Sequence, residues 1–169
     1  AVRTEGIYTI MITLAIAVSP TVIAQEESNL EALFRDFGRS VTASGVVRLT
    51  VIHLNDATVE AFFSAPMKYS LRVQAKQTTI FYVQGTAERS MELDGLWEVR
   101  QGTRVIGAKT IDIFNFTPGL VLADGDQFTG LVVLDQLVNP RAEFTLGNGE
   151  NYRFNFLFST NAVTQILGR

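Results

Sequence analysis

The hydrophobic pattern at the start of the 169-residue chain predicts a membrane-associated helix. Residues 6–24 carry no charged side chain, and they follow Arg3. A helix of this length rises about 28 Å, close to the roughly 30 Å hydrocarbon thickness of a bilayer. The large apolar side chains that we expect to face lipid are Ile7, Ile10, Ile12, Leu14, Ile16 and Val18. The pattern therefore predicts a transmembrane anchor over residues 1–24, in contact with membrane lipid.

The same segment also fits a secretory signal peptide, because Ala24 closes a cleavage site before Gln25. We expect the anchor to be retained, and cleavage after Ala24 is the alternative. Arg3 precedes the apolar segment and acidic residues follow it, so the positive-inside rule places the rest of the chain outside the cytoplasm. The expected location is a bacterial inner membrane with the remaining domain in the periplasm. Cleavage would instead release the domain to the periplasm or the cell exterior.

A helical period follows the apolar segment and predicts a short amphipathic helix or connector over residues 25–40. Ser28 and Glu31 have the spacing of a capping box, which predicts that the helix begins there, and Gly38 predicts its end. The apolar residues that share one face of this helix are Leu30, Leu33, Phe34 and Phe37. This face packs either on the core of the following domain or, as the alternative, on the membrane surface or on a partner. We therefore take its four residues as candidate partner contacts.

From Val41 onward the apolar period changes from 3.6 to 2, which predicts β-strands. The most regular alternation covers residues 67–75, and the same pattern predicts strands at 46–54, 58–64, 79–84, 90–93, 97–101, 109–116, 127–134, 143–146 and 152–159. Turn dipeptides separate several of them, namely Asp94-Gly95, Pro118-Gly119, Asp124-Gly125 and Asn148-Gly149. Residues 41–169 are therefore predicted to form one mainly β domain, an antiparallel β-sandwich or a partly open barrel.

Two aromatic patterns bear on the interior of this domain. Tyr152, Phe154, Phe156 and Phe158 alternate along one predicted strand and share one face. They form part of the core or, as the alternative, line a groove for a lipid or acyl chain. The adjacent pair Phe62-Phe63 points to opposite faces of a strand, which indicates a sheet covered on both sides or one apolar face kept for a partner.

The chain has few residues of the types that usually act in catalysis or bind metal ions. The chain has no cysteine, which excludes disulfides, thiolate metal sites and a cysteine nucleophile. His53 is the single histidine, and it falls in phase with apolar residues at the end of a predicted strand. We interpret it as a structural residue, since a catalytic or metal site built on it has no second histidine or cysteine.

The acidic residues have simpler explanations than catalysis. Asp124-Gly125-Asp126 lacks the oxygen-rich continuation of a calcium loop, so we interpret it as a turn. The pairs Asp56 with Glu60 and Glu92 with Asp94 are ordinary neighbours near turns and weak candidates for glycoside chemistry. The sequence therefore predicts no catalytic residue, no bound cofactor and no metal site. A net charge of −3 without a basic cluster also argues against binding of nucleic acid and against binding to an anionic membrane surface.

These observations predict that the protein functions by binding to another protein. The chain is predicted to be a non-catalytic accessory or structural subunit whose β domain packs on an integral membrane protein complex, for example a respiratory or photosynthetic electron-transfer complex. The alternatives are a soluble periplasmic protein that binds a lipid or other apolar ligand, and an extracellular adhesion or filament subunit joined through strand edges.

Overall fold

The structure is a computed structural model that describes residues 20–93, 95–114 and 121–168. The chain divides into two units, Ala1–Ala32 and Leu33–Arg169. In the first unit, residues 20–32 are the beginning of helix α1 (Pro20–Phe37). None of the helices within the described ranges is long and apolar enough to cross a membrane. The anchor residues predicted from the sequence, Ile7, Ile10, Ile12, Leu14, Ile16 and Val18, lie outside these ranges.

The second unit is built on an eight-stranded antiparallel sheet, in agreement with the prediction of a mainly β domain. Its strands are β1 (Gly38–Ala43), β2 (Val47–His53), β3 (Ile80–Ala87), β5 (Trp97–Gln101), β6 (Arg104–Phe114), β8 (Gln127–Leu134), β9 (Phe144–Asn148) and β10 (Tyr152–Phe156). Two further short strands, β4 (Met91–Glu92) and β7 (Val121–Leu122), pair with each other. Three helices complete this part of the chain: α2 (Asp56–Phe62), α3 (Met67–Ala75) and α4 (Thr160–Leu167).

The sheet is nearly closed. Its strand order is β1-β2-β3-β8-β6-β5-β9-β10, so β1 and β10 are its two edges. Arg39 of β1 donates from Nε to the backbone oxygen of Asn155 in β10 at 2.8 Å. The Arg39 guanidinium also lies 5.0 Å from the ring centroid of Phe156. One long side chain therefore joins the two edges by a hydrogen bond and a cation–π contact.

Two of the predicted strands are wrong, because residues 58–64 and 67–75 contribute to helices α2 and α3. The Asn55 side chain accepts hydrogen bonds from the backbone N–H groups of Ala57 and Thr58, and Thr58 Oγ1 accepts from the backbone N–H of Asn55. This reciprocal capping box starts α2. In α3 the side chains facing the sheet are Leu71 and Ala75, four residues apart. A two-residue alternation in a short segment can therefore belong to a helix with a narrow apolar face.

The structure agrees with the predicted end of the first helix but not with its predicted start. Helix α1 begins at Pro20, so the expectation that it begins at Ser28 is wrong. It ends at Phe37, as predicted from Gly38. A Cβ atom at Gly38 would overlap the Phe34 ring and lie 2.7 Å from the Phe34 backbone oxygen, so the chain can turn into β1 only with glycine here.

Two of the four predicted turns can be compared with the structure. Gly149 has φ +55° in the β9–β10 hairpin, and Gly125 has φ +83° between β7 and β8, as their sequence contexts predicted. The other two turns involve Asp94 and residues 115–120, which lie outside the described ranges.

The sheet is covered on both sides along β3 and β8, because alternate residues of these strands enter two separate apolar clusters. Phe81 and Val132 belong to the larger cluster. The smaller cluster lies on the opposite face, beneath α2 and α3, and consists of Leu54, Val59, Leu71, Ile80, Leu131 and Val133. Phe62 packs against the larger cluster and Phe63 against the smaller one. The expectation of two covered faces is confirmed, although these two rings come from the end of a helix.

Candidate functional site

The interior of the nearly closed sheet contains a cluster of aromatic rings in mutual contact. Phe144 and Phe156 stack with centroids 5.0 Å apart. Phe81 lies 5.4 Å from Phe156, and Phe158 lies 5.7 Å from both Phe144 and Phe156. All four rings are buried. Separations of this size are those of directly packed aromatic pairs, so the four rings form one packed cluster in the core.

The interpretation of the last strand as part of the core is therefore confirmed. Phe154, Phe156 and Phe158 are buried, and Tyr152 packs half-buried against the same cluster. The strand itself ends at Phe156, before the predicted end at residue 159. Phe158 continues into the core from the segment between β10 and α4, where Ser159 caps the helix.

His53 is the last residue of β2, as predicted, and its imidazole enters this aromatic interior. The ring meets Phe81 at 5.7 Å and Phe158 at 5.2 Å, both edge to face. Its Nδ1 atom is buried and has no hydrogen-bond partner among the described residues. Burial lowers the pKa of His53 from 6.5 to about 4, against a smaller opposing effect of its backbone hydrogen bond. The imidazole is therefore neutral at pH 7 and shielded from solvent.

In the first candidate pair of acids, Asp56 with Glu60, Glu60 is engaged in ion pairs. Glu60 accepts a hydrogen bond from Lys68 Nζ at 2.9 Å and also pairs with Arg72. The hydrogen bond from Lys68 is the main cause that lowers the pKa of Glu60. A carboxyl group that acts as a general acid at neutral pH needs a raised pKa, whereas the surroundings of Glu60 lower its pKa. The other candidate pair includes Asp94, which lies outside the described ranges.

The Asp124-Gly125-Asp126 segment is a turn, as predicted. The Asp126 carboxylate accepts a hydrogen bond from the backbone N–H of Ala123 at 2.8 Å, which fixes the turn before β8. Within residues 20–93, 95–114 and 121–168, no three histidine, cysteine or acidic side chains come together in an arrangement that could hold a metal ion.

A polar depression of about 280 Å3 lies on strands β5, β9 and β10. Gly147 of β9 pairs with Glu98 of β5 on one side and with Arg153 of β10 on the other. The central strand therefore has no side chain between these two charged residues. Arg100, two residues further along β5, donates a hydrogen bond from Nε to Glu98 Oε1 at 2.8 Å. Glu150 completes a lining with two carboxylates and two guanidinium groups. These charges balance, so the depression favours neither an anion nor a cation.

Helix α3 exposes the surface that differs most from the sequence-based expectation. Tyr69 and Val73 lie one helical turn apart and are 60% and 62% exposed. They point away from Leu71 and Ala75, which pack toward the sheet. The basic side chains Lys68, Arg72 and Lys76 follow at four-residue spacing and flank the exposed pair. We call Tyr69, Val73 and these three basic residues the outer face of α3.

The four candidate partner-contact residues fall in both units. Leu30 belongs to the first unit. In the second unit, Phe37 is fully buried in the larger cluster, and its ring lies 6.0 Å from that of Phe158. Leu33 and Phe34 are half-buried against the same cluster. This arrangement matches the core-packing alternative for the helix face, and partner contact through its exposed parts stays a prediction.

Comparison with known proteins identifies no relative. No protein-family model, curated protein or solved structure matches this chain.

Sequence reasoning missed the outer face of α3 because it read residues 67–75 as a strand. A signal was present: the segment MKYSLRVQA contains mostly strong helix formers, and Val73 is its only β-branched residue. The polar pair Asn55 and Thr58 just upstream also has the spacing of a helix start.

Proposed function

We propose that this chain is a non-catalytic accessory subunit. In this proposal residues 1–24 anchor it in a bacterial inner membrane, and the β domain packs in the periplasm against a larger membrane protein complex. The domain acts by contact through its outer surface, and it carries out no reaction of its own.

The observation that carries the proposal is the packed cluster of aromatic rings inside the nearly closed sheet. Phe81, Phe144, Phe156 and Phe158 contact each other there. Small-molecule sites are commonly cavities of about 300–1,000 Å3 with a few polar groups directed inward. One polar side chain that contacts this cluster is His53, which is neutral and meets the rings of Phe81 and Phe158. The position of these groups favours binding by the outside of the domain over binding of a lipid inside it.

The membrane attachment is supported by the apolar segment of the sequence. A charge at the middle of a spanning helix costs about 2.5–3.5 kcal/mol, whereas a charge outside the span costs little. Leu14→Lys should therefore reduce the fraction of full-length chain that stays in carbonate-washed membranes. Thr4→Lys adds the same charge before the segment and serves as the matched control.

Two further measurements on the native membrane test the proposal. We expect the N-terminus determined by mass spectrometry to precede Gln25, and we expect the chain to migrate with partner chains after extraction in mild detergent. A mature N-terminus at Gln25 would contradict the anchor. Migration of the chain alone, from membranes that retain it, would contradict its place in a complex.

A further inference from the structure

We propose that the outer face of α3 binds the surface of an anionic lipid bilayer. The juxtaposition that leads to this inference is an exposed apolar pair, Tyr69 and Val73, directly beside a row of cations on a helix packed against the sheet. The inference rests on the proposed membrane attachment, which keeps the domain within reach of a bilayer. It adds a second and reversible contact between the domain and lipid.

The apolar part of this face is exposed although the helix is firmly placed. Leu71 is buried and Ala75 packs against the smaller cluster, so the orientation of α3 is fixed by the core. Tyr69 and Val73 therefore remain at the surface at 60% and 62% exposure. Tyrosine is enriched where a membrane meets water, because its ring is apolar and its hydroxyl is polar.

The charge on this helix suits an anionic surface. Lys68 and Arg72 are the ionisable side chains of α3 apart from Tyr69, Lys76 follows directly after its end, and α3 itself contains no acidic residue. Glu60 of α2 pairs with Lys68 and Arg72 and holds both next to the exposed pair. Lys68 Nζ lies 5.8 Å from the centroid of the Tyr69 ring. Apolar side chains flanked by lysine and arginine are typical of helices that lie in the interface of a bilayer.

The groups on α2 and α3 leave a small positive excess. Asp56 and Glu60 are the acids of α2, against three basic residues on and just after α3. Lys76 forms no ion pair with any described carboxylate, so its charge is available to lipid phosphates. Each lysine near an anionic surface contributes about 1 kcal/mol, and this attraction falls off within a Debye length. The contact should therefore weaken at high salt.

The chain has no cysteine, so a single introduced cysteine can carry an environment-sensitive fluorophore. Val73→Cys places this probe on the outer face of α3. Val105→Cys is the matched control, since Val105 is also a valine and is 59% exposed on β6. The labelled full-length chains are reconstituted into phosphatidylcholine vesicles with or without 30% phosphatidylglycerol. Thermal unfolding confirms that each labelled chain is folded.

The proposal predicts a blue shift and quenching by spin-labelled lipid for the probe at position 73 in anionic vesicles. Both signals should decrease in neutral vesicles and in 1 M salt. The probe at position 105 should stay in water throughout. Lys76→Gln should weaken the response at position 73 about fivefold, whereas Lys109→Gln should leave it unchanged.

Equal, water-like emission from positions 73 and 105 in anionic vesicles would overturn the inference, and would leave this face to a protein partner. The same samples also report on the attachment. Chains that resist carbonate extraction while position 73 stays in water would contradict only the lipid contact of α3. Chains removed by carbonate would contradict the proposed anchor.

Discussion

Acidification should destabilise the β domain through His53, the single histidine of the chain. The imidazole lies between the rings of Phe81 and Phe158, and no described residue pairs with its buried Nδ1. Protonation would place a charge in this apolar interior. In the unfolded chain the same imidazole is in water and is protonated near its ordinary pKa. The unfolded state therefore binds a proton at a higher pH than the folded state.

The size of the effect follows from the two pKa values, 6.5 in the unfolded chain and about 4 in the folded one. The contribution of neutral His53 to the free energy of unfolding is fully present above pH 6.5 and is lost as the pH falls toward 4. The complete difference corresponds to about 3 kcal/mol, of which about 2 kcal/mol is lost on going from pH 7.5 to pH 5. A loss of this size is a large part of the stability of an ordinary domain.

The assay is urea denaturation of the full-length chain in mild detergent at several pH values, for the wild type and for His53→Leu. Other titrating groups, including Glu60, are common to both proteins, so the difference in pH dependence isolates His53. We expect the variant to lose about 2 kcal/mol less than the wild type between pH 7.5 and pH 5. A purification tag without histidine keeps the measurement specific.

Nuclear magnetic resonance gives an independent check, because the wild-type chain has one imidazole signal. That signal should stay in the neutral form down to pH 5 in the folded protein. Titration near pH 6.5 in the folded state, or identical pH dependence of the two proteins, would refute the reasoning. Either result would mean that His53 is open to water.

Two further substitutions, each compared with a control substitution, test the packing of the core by urea denaturation. A Cβ atom at Gly85 would lie 2.7 Å from Phe128 Cε2, so Gly85→Ala should cost about 1–3 kcal/mol, whereas Gly107→Ala should be tolerated because its nearest neighbour, Asp135 Oδ2, is 4.0 Å away. Equal stability of these two variants would contradict the close approach of Phe128 to β3. Phe37→Ala should cost about 3–5 kcal/mol because Phe37 is fully buried, whereas Tyr69→Ala should change stability by less than about 0.5 kcal/mol. A small effect of Phe37→Ala would show that the end of α1 does not belong to the core.

Much of the sheet could be predicted from local sequence. The strand predicted at residues 127–134 matches β8 in both bounds, and the predicted strands at 46–54 and 97–101 match β2 and β5 closely. The turn residues Asp124-Gly125 directly precede the apolar run of β8. Local conformational preference and burial then favour the same structure, so the sequence pattern is sufficient.

The candidate sites depended on residues distant in the sequence. The sequence indicated that His53 ends a strand, but the rings around it come from β3 and from the segment after β10. Its low pKa results from that enclosure, which no local pattern encodes. The identity of α3 likewise depended on which face met the sheet, since alternation alone permitted either a strand or a helix.

The sequence by itself determined an apolar N-terminal segment, a mainly β domain without cysteine chemistry, and most of the strands and turns. These features depend on neighbouring residues, through periodicity, turn preference and composition. Only the tertiary structure determined that the aromatic strand β10 packs into the interior and that Phe37 belongs to the same core. It also determined that α3 exposes Tyr69 and Val73. The reason is physical: burial and desolvation depend on which segments pack together. Residues paired between β3 and β8 are 41 to 53 positions apart in the sequence, and Arg39 of β1 and Asn155 of β10 are 116 positions apart.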